Sequence, residues 1–295
     1  MVVPPHSFAL RFLGVFLSMG MAWSALAAHA AQTPYPRVFA KENLVAWCVV
    51  PFDANKRGPE ERAAMLERLE FTKLAYDWRA EHVPEFEAEI KALKEHGIAF
   101  FAFWGLHEDM FRLFGKYDIQ PQVWLTVPDP GEGSREEKVR RAGALMLDAA
   151  QRTRELGCKL GTYNHGGWGG EPENMVAVCK WLRNETGSGH VGIVYNLHHG
   201  HGHIDDFAAC LDAMKPYLLC LNLNGMNTGA EPKILPIGQG EHDRKLLRII
   251  LDSGYSGLVG ILDHRPEIDA EESLRANLEG LEKVVREITE AEVNN

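Results

Sequence analysis

Histidine, asparagine and aspartate recur in this chain where short apolar runs end, and these residue types suit proton transfer and hydroxyl recognition. Tyr163-Asn164-His165 closes one run and Asn196-Leu197-His198-His199 a second. Asn222-Leu223-Asn224 closes a third and Asp263-His264-Arg265 a fourth. Six of the 13 histidines (His165, His198, His199, His201, His203 and His264) follow three of these runs. Imidazole titrates near neutral pH, so it moves protons there; in its neutral form it also binds a divalent ion such as zinc. His165, His199 and Asp263 stand within a few residues of predicted strand ends on the same face, and they form the candidate catalytic set. Asn164, Asn196, Asn222 and Asn224 are neutral donor–acceptor groups suited to sugar hydroxyls. Tyr76, Trp104, His264 and Arg265 complete the candidate substrate-binding set, with Trp47, Trp104 and Trp168 offering apolar faces to a sugar ring. His201 and His203 read as a solvated entry to a helix, and Asp205-Asp206 as its N-terminus facing the helix dipole. Glu241 and His242 open a helix after a Gly-rich turn, either as caps or as site residues.

The elements that must position these groups alternate eight times. Apolar runs suited to buried strands are Leu44–Val50, Thr72–Trp78, Ile98–Trp104, Val123–Val127, Cys158–Tyr163, Val191–Asn196, Leu218–Asn222 and Leu258–Asp263. Between and after them, helical spacing covers Pro59–Leu69, Pro84–His96, Asp109–Tyr117, Ser134–Leu156, Glu171–Asn184, Ile204–Met214, Glu241–Ser253 and Ala270–Ile288. Ser134 with Glu137 three residues on is a capping box. Strands without period-two alternation are buried on both faces, as a parallel sheet requires. Eight strand–helix pairs predict one α/β domain, a (β/α)8 TIM barrel over residues 37–292, with its chemistry on the loops after the strands. The loops on the other side are short and plain.

Composition narrows the function. The chain has 295 residues, 45% of them hydrophobic, and a formal net charge of -10. That balance argues against a nucleic-acid groove, which needs a basic footprint. No G-x-G-x-x-G follows the first strand, which argues against a nucleotide cofactor. Residues 1–30 read as a cleavable signal peptide: Arg11, then the apolar run Phe12–Ala27, then Ala28-His29-Ala30. The run is short of the roughly 20 residues that span a bilayer, so export without stable membrane insertion is expected. Five cysteines lie far apart, with Cys48, Cys158 and Cys220 inside apolar runs. Buried free thiols are expected, with a Cys179–Cys210 bridge between neighbouring helices as the one pairing left open.

Tyr163–Gly167, Val191–His199, Gly238–Asp243 and Gly254–Gly257 together resemble, in order and spacing, the xylose isomerase-like barrel superfamily. The resemblance covers nearly all of the chain after residue 30. It implies a sugar or sugar-phosphate isomerase or epimerase, and in many members a divalent metal held by a glutamate, an aspartate, a histidine and a glutamate after strands five to eight. At those four places this chain carries Tyr163, Asn196, Asn222 and Asp263, while His199 is kept. The loss of carboxylates leaves three readings. One divalent ion is held by a rebuilt set of His165, His199 and Asp263, with His264 or His242. Histidine acid–base pairs act without metal. Or the barrel only binds its ligand. The expected function is an exported enzyme acting on a small carbohydrate, an isomerase, epimerase, lyase or hydratase on an oxidised (3-keto) sugar. The alternative is a non-catalytic sugar-binding barrel; a metal-dependent hydrolase is a third and weaker reading.

Overall fold

The computed structural model describes residues 35–293 together with Met1, so the leader over residues 1–30 lies outside the described residues. Eight strands close into a parallel barrel in chain order, with the eighth paired back to the first. They are β1 (Leu44–Trp47), β2 (Lys73–Tyr76), β3 (Ala99–Trp104), β4 (Gln122–Thr126), β5 (Lys159–Tyr163), β6 (Val191–Asn196), β7 (Leu218–Leu223) and β8 (Leu258–Leu262). The outer ring is α1 (Pro59–Arg68), α2 (Phe86–Glu95), α3 (Glu108–Tyr117), α4 (Arg135–Glu155), α5 (Gly167–Gly170), α6 (Pro172–Thr186), α7 (Phe207–Met214), α8 (Asp243–Asp252) and α9 (Ala270–Val293). The expected eightfold alternation is therefore present, with one addition: the Gly-rich stretch after β5 coils into the single turn α5. Three helices begin two or three residues later than expected, one of them α2, at Phe86 rather than Pro84. His201–His203 forms a 3-10 turn ahead of α7, and α8 opens at Asp243 rather than Glu241.

Two apolar layers hold the barrel. Outward-facing strand residues such as Leu74, Tyr76, Phe100, Phe103, Val259 and Ile261 pack under the helices. Inward-facing Val45, Trp47, Ala75, Ala102, Trp124, Tyr163, Val194, Cys220 and Leu262 fill the interior. The interior is plugged by aromatic rings, as a packed barrel core requires. The Trp47 ring lies 4.8 Å from Trp124 and 6.1 Å from Tyr163. Gly161 admits them: a Cβ there would stand 2.9 Å from the Trp124 ring. Two pairings shift register, between Leu74 and Ala75 against β3 and between Ile193 and Val194 against β7. These shifts decide which residues near the strand ends face inward.

The capping box at the start of α4 forms as expected, with the Glu137 amide donating to Ser134 Oγ and the Ser134 amide to Glu137 Oε2. At the N-terminal end of the barrel, Asn43 Nδ2 donates to the carbonyls of Val38 and Gly257, fastening the entering chain to the start of β8. All five cysteines are free. Cys179 Sγ faces the Val191 carbonyl and Cys210 Sγ faces His203, so the Cys179–Cys210 bridge does not form.

Candidate active site at the barrel mouth

A cavity of about 120 Å3 opens at the C-terminal ends of the strands. Its walls are Trp47, Trp104, Tyr163 and Phe52; its polar groups are His165, His198, His199, His264, Asp77, Arg79, Cys48 and Asn196. It is smaller than the roughly 300–1,000 Å3 that encloses a drug-sized ligand, which limits the buried part of a substrate to about one small ring. A larger cavity of about 520 Å3 lies at the opposite end, between Tyr35, Phe39 and the middle of α9 from Arg275 to Arg286. Its four basic groups are all ion-paired, Lys41 with Glu70, Arg286 with Glu282, and both Arg68 and Arg275 with Glu271. Among the described residues no histidine or buried carboxylate lines it.

Four imidazoles form a continuous chain across the mouth. The rings of His165 and His199 are 4.6 Å apart, those of His199 and His198 4.2 Å, and those of His198 and His264 5.0 Å. His264 in turn lies 3.9 Å from the Phe52 ring. The loop after β6 turns back because Asn196 Oδ1 accepts from the His198 amide, which starts a 3-10 turn. His264 is held by its own amide, which donates to the Cys48 carbonyl. Burial, reinforced by the neighbouring His199, pushes His198 down to about 2. Burial and the adjacent His165 push His199 down to about 3. Both rings are therefore neutral at physiological pH. Burial also lowers His264.

Asp77 is the carboxylate of this cavity. It is buried, one oxygen accepts from the Val50 amide at 3.4 Å, and the other has no partner. Burial pushes it up to about 6, against the pull of Arg79. A carboxylate tuned to this range is a competent general base near neutral pH.

The candidate residues divide. His165, His199, His264, Trp104 and Asn196 line the cavity together. Asp263, Tyr76, Arg265, Asn164, Asn222 and Asn224 do not line it, and each departure has a physical reason. In β8 the inward positions are Leu258 and Leu262, so Asp263 turns out toward α9 and His264 turns in. Asp263 is fully buried with neither carboxylate oxygen hydrogen-bonded, 4.0 Å from Arg265, and burial pushes it up to about 8. Arg265 donates to Ser273 on α9. Tyr76 packs outward among Phe86, Phe100 and Phe103, and Asp77 takes the inward place. Asn164 spends its side-chain amide on the Asn196 backbone, donating to its carbonyl at 3.0 Å and accepting from its N–H at 2.7 Å. Asn222 sits in the barrel interior, where Gly260 leaves it room, and accepts from Cys220 Sγ. Asn224 donates to the Gly225 carbonyl behind β7, beside α8. Glu241 and His242 tie down Thr228 of the loop before α8.

The four places where the resemblance implies metal ligands do not fit a hard cation. Tyr163 is a buried neutral phenol that accepts from Trp47 Nε1 at 3.3 Å and from Asn196 Nδ2. Asn222 has its oxygen engaged, and Asp263 faces away. Among the described residues, no three imidazole, thiol or carboxylate groups of the mouth bring ligand atoms within 4.8 Å of one another. The rebuilt set of His165, His199 and Asp263 therefore does not assemble.

No family model matches the chain, and no curated protein matches it. Solved structures do match. The IolI protein with a bound zinc atom is 14% identical, with a TM-score of 0.65, covering 83% of this chain and 99% of its own. The 3-keto-D-glucoside 4-epimerase YcjR from E. coli is 14% identical, with a TM-score of 0.58 and the same coverage of 83% and 99%. The probable 3-DHS dehydratase AsbF from Bacillus anthracis is 10% identical, with a TM-score of 0.62, covering 81% of this chain and 98% of its own. The fold is that of the xylose isomerase-like TIM barrels.

Proposed function

We propose that this barrel is an exported enzyme that moves a proton next to the ketone of an oxidised sugar, leading to epimerisation or elimination. The observation that carries this reading is the mouth itself. A buried carboxylate tuned to about 6 shares one small aromatic-walled cavity with the neutral imidazoles of His198 and His199. The folds of a 3-keto-glucoside epimerase and a 3-DHS dehydratase are compatible with it. In a 3-keto sugar the ketone already acidifies the neighbouring C–H. Asp77 takes that proton, and the C–H electron pair moves into the new C–C double bond as the carbonyl becomes an enolate. His199, neutral and half-buried, donates a hydrogen bond to the developing oxyanion, a role that needs an imidazole rather than an imidazolium. A proton delivered to the opposite face by the imidazolium form of His165 gives the epimer, and exchange with solvent then reprotonates that ring and removes the proton from Asp77. Departure of a β-substituent, protonated by the same ring, gives the unsaturated ketone. Trp104 and Trp47 provide the apolar wall for the ring. The leader-like composition of residues 1–30 supports export.

The test is proton exchange. A panel of 3-keto sugars and their parent sugars in D2O, followed by NMR with the purified protein, is expected to show deuterium entering at carbon next to the ketone. Saturable binding of panel members with neither exchange nor product would replace this reading with the sugar-binding barrel. N-terminal sequencing of protein secreted by an expressing cell tests cleavage after Ala30.

A further inference from the structure

Outside the mouth, on the helical ring, three unlike side chains converge. His203 ends the 3-10 turn after β6, Asp206 precedes α7, and Cys210 lies on its first turn. The spacings of three and four residues put all three on one side. His203 Nδ1 is 3.1 Å from Asp206 Oδ1 and 3.3 Å from Oδ2, and Cys210 Sγ is 3.5 Å from the same Nδ1. All three potential ligand atoms lie within 4.8 Å of one another. The far nitrogen of the same ring, Nε2, is 2.9 Å from Glu171 Oε2, contributed by the residue between α5 and α6.

We propose that His203, Asp206 and Cys210 form a binding site for a zinc-like divalent ion, distinct from the mouth. Zinc takes nitrogen, oxygen and sulfur at about 2.0–2.3 Å, so a tetrahedral ion sets its ligand atoms about 3.3–3.7 Å apart. The observed separations around Nδ1 are close to that before any ion draws the groups in. A mixed imidazole, carboxylate and thiolate set selects a borderline-soft ion over magnesium or calcium. Glu171 stands where a carboxylate orients a metal-bound histidine through its second nitrogen. A second observation points to a missing polar partner: the Tyr195 hydroxyl is fully buried without a hydrogen bond, and it feels the charge of Cys210, Asp206 and Glu171. Three protein ligands leave a fourth position for water. The site joins the loop after β6, which carries His199, to the segment after β5, which carries His165. An ion here fastens the two sides of the mouth and takes no part in its chemistry.

Metal-stripped protein titrated with zinc against a chromophoric chelator is expected to bind one equivalent. Cobalt(II) in its place is expected to give a thiolate-to-metal charge-transfer band and tetrahedral ligand-field absorption. Cys210→Ser should abolish the charge-transfer band, and Glu171→Gln should weaken zinc about 10- to 100-fold, the usual effect of losing such an orienting group. Zinc should raise the Tm of the wild type but not of Cys210→Ser, a comparison that also reports whether the variant is folded. The proposal falls if no zinc binds. It falls equally if Cys210→Ser binds zinc as tightly as the wild type, or if His198→Asn or His199→Asn, and not Cys210→Ser, removes the bound equivalent.

Discussion

His198 and His199 stand within five residues of His203, yet the two ends of this short segment face different media. The first pair turns into the barrel mouth, where their neighbours are other imidazoles and aromatic rings, the ring of Tyr163 among them. Among the described residues no carboxylate pairs with either ring, and burial keeps both neutral. His203 turns outward onto the helical ring, where each ring nitrogen meets a carboxylate, Asp206 on one side and Glu171 on the other. The switch is made by the backbone. The Asn196 side chain bends the chain at His198, and the Gly200 amide donates to the Leu197 carbonyl, closing one tight turn before the next begins. Gly200 is needed there, since a Cβ would stand 2.6 Å from the Tyr195 hydroxyl. Identical side chains are thus given different chemistry by partners alone: proton transfer and neutral hydrogen bonding inside, ligation and ion pairing outside.

The sharpest way to break this contrast is through the carboxylate that the inner histidines lack in contact but share in the cavity. Asp77→Asn keeps the shape and removes the base, so kcat for deuterium exchange should fall by about 10²- to 10⁴-fold, the usual worth of a positioned base. Next, His199→Asn should cost about 10²-fold or more in kcat, as loss of one oxyanion donor does, while His203→Asn should change kcat by less than about threefold. Equal losses at the two positions, measured on protein with unchanged circular dichroism, would erase the distinction between the inner and outer ends of the segment.

Much of this was legible before any coordinates, and the boundary of legibility is physical. Near-continuous apolar strands and charged helices spaced for eight units are enough to specify a closed parallel barrel, because no other layering buries both faces of so many strands. His165, His199, His264, Trp104 and Asn196 could be found because strand-end loops converge at one mouth. What sequence could not resolve was parity. Tyr76 and Asp77 are neighbours, as are Asp263 and His264. In the first pair Tyr76 is expected at the site and Asp77 is found there; in the second both are expected and only His264 is found. A strand buried on both faces shows no alternation to say which residue points in, and a one-residue slip exchanges the faces. The register shift at Leu74/Ala75 adds to this for β2. An aspartate at the end of a strand was visible as a signal at Asp77, but only the inward place of Ala75 two residues earlier assigns it to the cavity. Asn164 was misread for a different reason: its amide satisfies the Asn196 backbone, a demand that appears only when two strands lie side by side.

The pH profile sharpens the contrast further. With Asp77 pushed up to about 6, activity requires its ionised form, so kcat should rise about tenfold per pH unit below 6 and level off above. In Asp77→Asn the residual rate should lose that limb. Stability carries the opposite sign. A carboxyl raised by burial holds its proton longer in the folded state, so stability is lost as pH rises from about 3.8 to about 6 and stays lost above. A shift of about two pH units corresponds to about 3 kcal/mol. Asp77→Asn should recover some of that at pH 7, up to about 3 kcal/mol, read as a higher urea midpoint at unchanged m-value. A variant that is less active but more stable is what a buried reactive carboxylate predicts. His198 works the other way. Its lowered value means that the unfolded chain gains a proton first as pH falls through 6.5, so it removes stability on acidification, by up to about 1.4 kcal/mol per pH unit. His198→Asn should flatten the acid side of the stability profile.

The smallest effect on activity is expected at Asp263, and it tests whether orientation rather than residue type assigns function. Asp263 closes β8 beside His264, is fully buried, and is pushed up to about 8, all of which would ordinarily mark a reactive group. Its carboxylate nevertheless faces α9 and Arg265, on the far side of the strand from the cavity. Asp263→Asn should therefore leave kcat and KM within about twofold of the wild type, since nothing that touches substrate has changed. Its stability should respond instead. The Asp263 carboxyl removes stability as pH rises from about 3.8 to about 8, where the unfolded chain ionises first, and the loss levels off above 8. The Asn variant should lack that contribution, so its profile should fall less steeply than the wild type's between about pH 5 and pH 8. A loss of kcat approaching that of Asp77→Asn would mean that β8 turns the other face to the cavity. Asp263 would then have to be placed back beside His165 and His199.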